Sequence, residues 1–305
     1  MLTRAAALGV SFQRKNRGMM VPKELFKYRN FEKYTILSLL NKGLWVPKPV
    51  QLNDPFDSQL KLLVSDVSKA EFIEDFGKFQ HWYKNETGKL ITYNGFDDLF
   101  ENGKPSTYLK QKAGMVADYW NDKAETVGVL SLSSDPINTL MWSHYGNNHS
   151  GICIGYCPEK LFPKSISMVS DWLHEVEYKE ESEITRNAYL LYAACGMWHS
   201  NDAAFRLFFK TLCTKSINWK YEKEWRYLLP ENGGQVFNLN IEAITSITFG
   251  LNTSVETKTA VSHLLRYHQK KTRFYQTVRD DHSAKLCRYI MDISSRYWGE
   301  SPEGR

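Results

Sequence analysis

The chain has 305 residues, of which 42% are hydrophobic, 24% charged and 14% Phe, Trp or Tyr; this excludes a disordered chain and a small stapled scaffold, and leaves one large domain or two ordinary ones. The net charge of +5 sits at the front, where Arg4, Arg14, Lys15, Arg17 and Lys23 precede the first acid, Glu24, so the neutral remainder sets up no field that argues by itself for nucleic acid. No apolar run approaches the roughly 18–20 residues that span a bilayer, and a soluble protein without a membrane partner is expected.

Residues 1–22 read as a flexible basic extension: Ala5–Val10 is too short for a secretory core, a basic run follows it, and Met19 or Met20 offers a later start. An Arg-rich transit peptide is the other reading. Leu25–Arg29 reads as a strand. Tyr34–Lys42 reads as a helix, apolar at Ile36, Leu37, Leu39 and Leu40, with Gly43 in the left-handed position that closes it. Leu44–Val46 resumes strand character, confined to an edge by Pro47 and Pro49. Leu52-Asn53-Asp54-Pro55-Phe56-Asp57 is either a side-chain-stabilised turn or a loop that brings polar groups to a pocket.

Residues 66–126 read as a helical insertion, with stretches over Ala70–Tyr83 and Tyr108–Trp120 separated by Thr87–Gly103. Val127–Ser133 is extended, and Ser134-Asp135-Pro136 then caps a helix expected from Ile137 to Tyr145. Gly151–Tyr156 alternates as a strand, Val176–Tyr178 is a short one, Ala188–Lys215 is helical, and Trp219–Leu229 alternates again. Ile244–Gly250 is a buried strand, Ser254 opens a helix to about His268 with Glu256 in its first turn, and Thr272–Val278 is a last strand. The order implies one α+β domain over 23–280 with roughly seven or eight strands, followed by a tail over 281–305. Cys153, Cys157, Cys195, Cys213 and Cys287 are odd in number and scattered, which fits buried thiols in a reducing cytoplasm better than disulfides or a zinc site.

The stretch Tyr221–Tyr227 is the most informative. On a strand, Glu222, Glu224 and Arg226 point one way and Trp225, Tyr227 and Leu229 the other. Two carboxylates beside a guanidinium shift one another's pKa and suit a site where positive charge develops in a substrate. A solvated strand face with one ion pair is the alternative. Ser131 and Ser133, on a strand leading into a capped helix, suit a phosphate or ribose, although capping accounts equally well for Ser134 and Asp135. Met141, Trp142 and Tyr145 share helical spacing and read as core; His144 beside them is a structural residue or a base. Arg29, closing the first strand, either clamps a phosphate or is exposed. The chain has no Gly-rich phosphate loop, nucleophile elbow, His-Glu-x-x-His helix or kinase set, so ATP-driven and zinc-dependent chemistry lose ground.

Four blocks occur in order: Phe26-Lys27-Tyr28-Arg29 before a helix ending in Gly43-Leu44-Trp45; Asn53 to Asp57; Leu140 to Gly146 with His149, Gly151 and Ile152; and Trp219 to Arg226. In these blocks the chain resembles a widespread bacterial family catalogued as a domain of unknown function, over about Glu24 to Val278. Its outline also resembles the ADP-ribosyltransferases, in which an early-strand Arg or His holds NAD, a Ser-x-Ser strand shapes the pocket, and a late Glu, in Glu-x-Glu form in the arginine-modifying branch, governs catalysis.

That second resemblance implies a split, mainly antiparallel central sheet and NAD as substrate. Arg29 and Arg226 would pair with the pyrophosphate, Ser131 and Ser133 would form the serine strand, and Tyr28, Trp142 or Tyr145 would stack on nicotinamide, with His144, Asn53 and Asp54 nearby. Glu224 would stabilise the ribosyl cation through the 2′-hydroxyl, and Glu222 would orient or deprotonate the acceptor. The implied activity is ADP-ribosyl transfer or NAD hydrolysis by a cytoplasmic bacterial toxin or anti-phage effector. A protein or nucleic-acid acceptor and an antitoxin or defence-system partner would go with it. Two other classes stay open: a metal-dependent nuclease using Asp54, Asp57, Glu222 and Glu224 with His144, and a non-catalytic binding module built on the Glu/Arg strand and the aromatic helix.

Overall fold

The computed structural model describes residues 21–54, 57, 67–162, 172–180, 201–266, 272–283 and 285–291. Residues 1–20 of the basic extension expected over 1–22, residues 188–200 of the long helix, His268 at the end of the late helix, Cys195 and the last part of the expected tail lie outside them.

An eight-stranded sheet carries the architecture. Its members are β1 (Leu25–Arg29), β5 (Gly128–Ser133), β6 (Ile152–Tyr156), β7 (Leu173–Glu175), β10 (Glu224–Leu229), β12 (Ile244–Phe249), β13 (Arg273–Arg279) and β14 (Leu286–Ile290). They run in the order β14-β13-β12-β6-β1-β5-β10-β7. Every pairing is antiparallel except β12 with β13. Three two-stranded ribbons flank the sheet: β2 (Gly43–Val46) with β11 (Gln235–Asn238), β3 (Phe100–Glu101) with β4 (Lys104–Pro105), and β8 (Glu177–Lys179) with β9 (Thr214–Ser216). The chain is thus α+β with a large, mostly antiparallel sheet.

The described helices are α1 (Lys33–Asn41), α2 (Lys69–Thr87), α3 (Thr107–Ala124), α4 (Thr139–His144), α5 (Asn201–Leu212) and α6 (Val255–Arg266). Leu25, Leu132, Ile154, Trp225, Tyr227 and Ile247 bury one sheet face with Leu39 of α1 and Val261 and Leu265 of α6. Phe76, Phe79 and Tyr83 of α2, Trp120 of α3 and Phe208 and Leu212 of α5 cover Val129 and Leu228 on the other. The polar helical stretch therefore buries an aromatic stripe over the sheet. Ser68 and Glu71 form a reciprocal cap at the start of α2, and Gly88, at φ 73°, ends it. Among the described residues no helix is long and apolar enough to cross a membrane.

β1 pairs with β6 along its whole length, from Leu25↔Tyr156 to Arg29↔Ile152, but meets β5 only at Phe26↔Ser133. Past that pair the two strands part and the sheet opens. The gap between them positions the site.

Local details differ from the sequence expectations for physical reasons. The left-handed residue closing α1 is Lys42, at φ 53°, and Gly43 instead begins β2. A Cβ on Gly43 would lie 2.7 Å from Val236 across the ribbon, so the glycine serves close strand approach. α4 begins after Asn138, whose side chain accepts from Met141 N–H at 3.1 Å; Asp135 holds only the preceding turn, through Ile137 N–H. Strand β10 begins at Glu224, because Ile217–Glu222 is a 3₁₀ turn and Lys223 is left-handed at φ 47°. Leu286–Ile290 adds an edge strand where a tail is expected; its half-buried Cys287 and Arg288 give no alternating pattern.

The Leu140–Gly151 block is a packing clasp. Trp142 is fully buried, edge-on to Tyr28 at 5.1 Å and stacked on His149. Asn147, Asn148 and His149 are all left-handed, and a Cβ at Gly250 would fall 2.1 Å from the His149 carbonyl oxygen. Gly250→Ala is therefore expected to destabilise the protein by about 1–3 kcal/mol. Thermal denaturation checks this, and a melting temperature equal to wild type would show that the backbone yields freely there.

Candidate functional site

A cavity of about 160 Å³ occupies the opening between β1 and β5. Its walls include Lys27 and Tyr28 of β1, Ser131 and Ser133 of β5, Tyr145 after α4, Lys215 of β9, Glu222, Glu224 and Arg226 around the start of β10, and Asn53 and Asp57 of the loop after β2.

Arg226 anchors the floor. Fully buried, it donates Nε to Glu224 Oε1 at 2.8 Å and Nη2 to Glu224 Oε2 at 3.0 Å. Nη1 donates to Asp57 Oδ1 at 2.9 Å and to the Leu212 carbonyl at 2.6 Å, and Nη2 also donates to Asp57 Oδ2. All five guanidinium N–H groups are thereby used. Arg226 has none left for a pyrophosphate, which corrects the role expected of it.

Lys215, also buried, donates to Glu222 Oε2 at 2.7 Å and to Glu224 Oε2 at 3.4 Å, lies 3.6 Å from Asp57 Oδ2, and sits 4.6 Å over the Trp219 ring. It arrives on the β8–β9 ribbon, where Tyr178 pairs with it and accepts the Glu224 backbone N–H at 2.7 Å. Three buried acids thus share two buried cations.

The two glutamates have different fates. Burial alone would raise the Glu224 carboxyl, but Arg226 and Lys215 outweigh it and hold it at about 2, helped by a hydrogen bond from Ser131. Burial and the adjacent Glu224 charge instead push the Glu222 carboxyl above its ordinary value, against the pull of Lys215 and Tyr145. Tyr145 donates its hydroxyl to Glu222 Oε1 at 2.7 Å and accepts from Asn53 Nδ2. Glu224 is a fixed anion locked to Arg226. Glu222 is the adjustable carboxylate, joined through Tyr145 to Asn53.

The sequence points to Arg29 as the basic residue of β1 at the site, but it is Lys27 that lines the cavity. Lys27 Nζ reaches across the opening and donates to the Ser131 carbonyl at 2.7 Å, where β1 and β5 no longer pair. Burial, reinforced by Arg29 and opposed by Glu224 and Glu222, brings its ammonium down to about 7. Arg29 stands two residues further along β1, roughly 7 Å away, with Tyr156 and Glu32 as its electrostatic neighbours, and does not line the cavity.

The other expected residues divide similarly. Tyr28 is on the wall, but its hydroxyl donates to the Asp135 carbonyl and accepts from Asn138 N–H. Ser133 Oγ donates to the Glu222 carbonyl at 2.6 Å and so fixes the turn that presents that side chain. Trp142 is in the clasp, His144 is exposed, and Asp54 is buried beside the loop turn; none of the three lines the cavity. Sequence reasoning missed Lys215 altogether. The signal was available, since three acids brought together out of water demand cations, and Arg226 alone cannot match them.

Lys27 makes stability depend on pH. Its folded value lies below the unfolded one, so between about 7 and 10.5 the unfolded chain binds a proton that the folded chain lacks, and stability contributed here rises with pH across that window. Denaturant midpoints of wild type should therefore climb relative to Lys27→Met between those limits. Parallel profiles would contradict the assignment.

Residues 141–227 match the model of a family described as a protein of unknown function, DUF2971. No curated protein and no solved structure matches the chain. The matched segment carries Tyr145, Lys215, Glu222, Glu224 and Arg226, and leaves Lys27, Asn53 and Asp57 outside it.

Proposed function

We propose that this cavity cleaves the N-glycosidic bond of a ribosyl substrate, with NAD as that substrate. The observation that carries the reading is the Glu222–Tyr145 pair, a buried carboxylate facing the cavity beside a second, charge-locked acid. When the nicotinamide–ribose bond breaks, its electron pair leaves with the nicotinamide nitrogen and positive charge grows at the ribose. A fixed anionic field around that carbon stabilises charge that exists only in the transition state. With Lys27 neutral, Asp57, Glu222 and Glu224 outnumber Lys215 and Arg226, and the lining favours a cation.

On this reading the roles differ from those implied by the ADP-ribosyltransferase resemblance. Glu222, in place of Glu224, is the carboxylate that meets the ribose, because both Glu224 oxygens are engaged by Arg226. Tyr145 and Asn53 hydrogen-bond the sugar hydroxyls, and Lys27 replaces Arg29 as the cavity's basic group. Water as acceptor gives NAD hydrolysis; a protein or nucleic-acid nucleophile gives ADP-ribosyl transfer, the work of a toxin or anti-phage effector. The metal-dependent nuclease reading has less support, since Asp57, Glu222 and Glu224 already turn their oxygens towards Lys215 and Arg226. The test is nicotinamide release on incubation of the full chain with NAD. Turnover supports the reading. Folded protein that releases no nicotinamide overturns it and leaves a structural ion cluster.

A further inference from the structure

We propose that Lys27 is a carbonyl-reactive amine and that the cavity takes a neutral hydroxyaldehyde, such as an open-chain aldose, as an imine. The inference does not depend on NAD being the substrate.

Three observations support it. First, Lys27 Nζ is placed by the fold: β1 and β5 part after Phe26↔Ser133, and the amine bridges the opening to the Ser131 carbonyl at 2.7 Å while lining the cavity. One N–H is anchored, and the amine belongs to the wall of a cavity of about 160 Å³. Second, the amine is available, because withdrawal from water brings its ammonium to about 7, the condition that activates lysine towards carbonyl carbon. The charged and titratable groups around it are Arg29 on its own strand; Glu222, Glu224 and Arg226 at the β10 end; Lys215 on β9; Asp57; and Tyr145. Third, the same cavity holds a proton-handling pair, Glu222 and Tyr145, joined at 2.7 Å. The amine is uncharged in its reactive form, which suits a neutral carbonyl compound, and the Asn53 amide suits hydroxyl groups.

The step balances without an oxidant. The Lys27 nitrogen adds to the aldehyde carbon, the C–N bond forms as the C=O π pair moves to oxygen, and one N–H proton passes to that oxygen to give a neutral carbinolamine. The Glu222–Tyr145 pair then gives a proton to the hydroxyl, which leaves as water while the nitrogen lone pair closes the C=N bond, and the iminium returns its remaining N–H proton to the pair. Amine and aldehyde become imine and water.

The experiment incubates the full chain with glycolaldehyde near neutral pH, reduces any imine with cyanoborohydride and maps the adducts by peptide mass spectrometry. Lys27 should label faster than the exposed Lys33 and Lys110 by on the order of tenfold or more, as its larger neutral fraction requires. The advantage should shrink as pH rises towards 10, and Glu222→Gln should slow the labelling of Lys27. Labelling of Lys27 in wild-type protein no faster than that of Lys33 and Lys110 overturns the proposal, and this readout does not rely on any variant folding.

Discussion

Replacing Arg226 with Met is expected to lower the unfolding free energy by about 3–5 kcal/mol, the range found when one partner of a buried ion pair is removed. The guanidinium gives two N–H groups to Glu224, two to Asp57 and one to the Leu212 carbonyl at the end of α5. Methionine fills part of the volume but leaves two buried carboxylates with Lys215 as their nearby cation. The cost comes from those stranded acids more than from a lost contact. A second change tests this. Glu224→Gln added to Arg226→Met removes one stranded charge and should recover part of the loss, a coupling visible in a double-mutant cycle by urea denaturation. An Arg226→Met protein within about 1 kcal/mol of wild type would mean that water reaches the cluster and that burial does not govern it.

The sign of the acid response follows from the same cluster. Glu224 is held at about 2 against an ordinary 4.5, so its folded form binds fewer protons than the unfolded chain between those values. Stability from Glu224 is present above about 4.5 and is lost as pH falls towards 2. Arg226→Met removes the main cause of that depression and should flatten this part of the acid limb.

Much of this arrangement was legible because strand alternation is a strict geometric rule. Trp225, Tyr227 and Leu229 do enter one core cluster, while Glu224 and Arg226 share the other face and meet at 2.8 Å. Asn53 and Tyr145, far apart in sequence, meet at the cavity, and the serine strand does form its wall. What stayed hidden depended on contacts between distant segments. Glu222 is off the strand, on a 3₁₀ turn, and reaches Glu224's neighbourhood only because Lys223 turns left-handed and Ser133 holds the Glu222 carbonyl. Lys215 sits on a three-residue strand with no pattern of its own. The choice between Lys27 and Arg29 depended on where β1 separates from β5, which neither strand's sequence encodes alone.

Glu222→Gln is expected to abolish most turnover while leaving the fold in place. The amide is isosteric, its oxygen can accept from Lys215 while its NH2 donates to Tyr145, and Asp57 and Glu224 still face Lys215 and Arg226; the negative charge proposed to meet the ribosyl cation is gone, and a loss on the order of 10²–10³-fold is expected for a charge-stabilising group of this kind. Glu224→Gln acts differently, because it breaks the pairing with Arg226 and should lower stability together with activity. The pair of variants therefore separates chemistry from architecture.

The most direct measurement is the rate of nicotinamide release from NAD by wild type and by Glu222→Gln, each with its melting temperature recorded on the same sample. Wild type should release nicotinamide, and the variant should lose at least about a hundredfold of that rate at an almost unchanged melting temperature. Equal release by the two proteins, or none by folded wild type, would contradict the proposed role of Glu222.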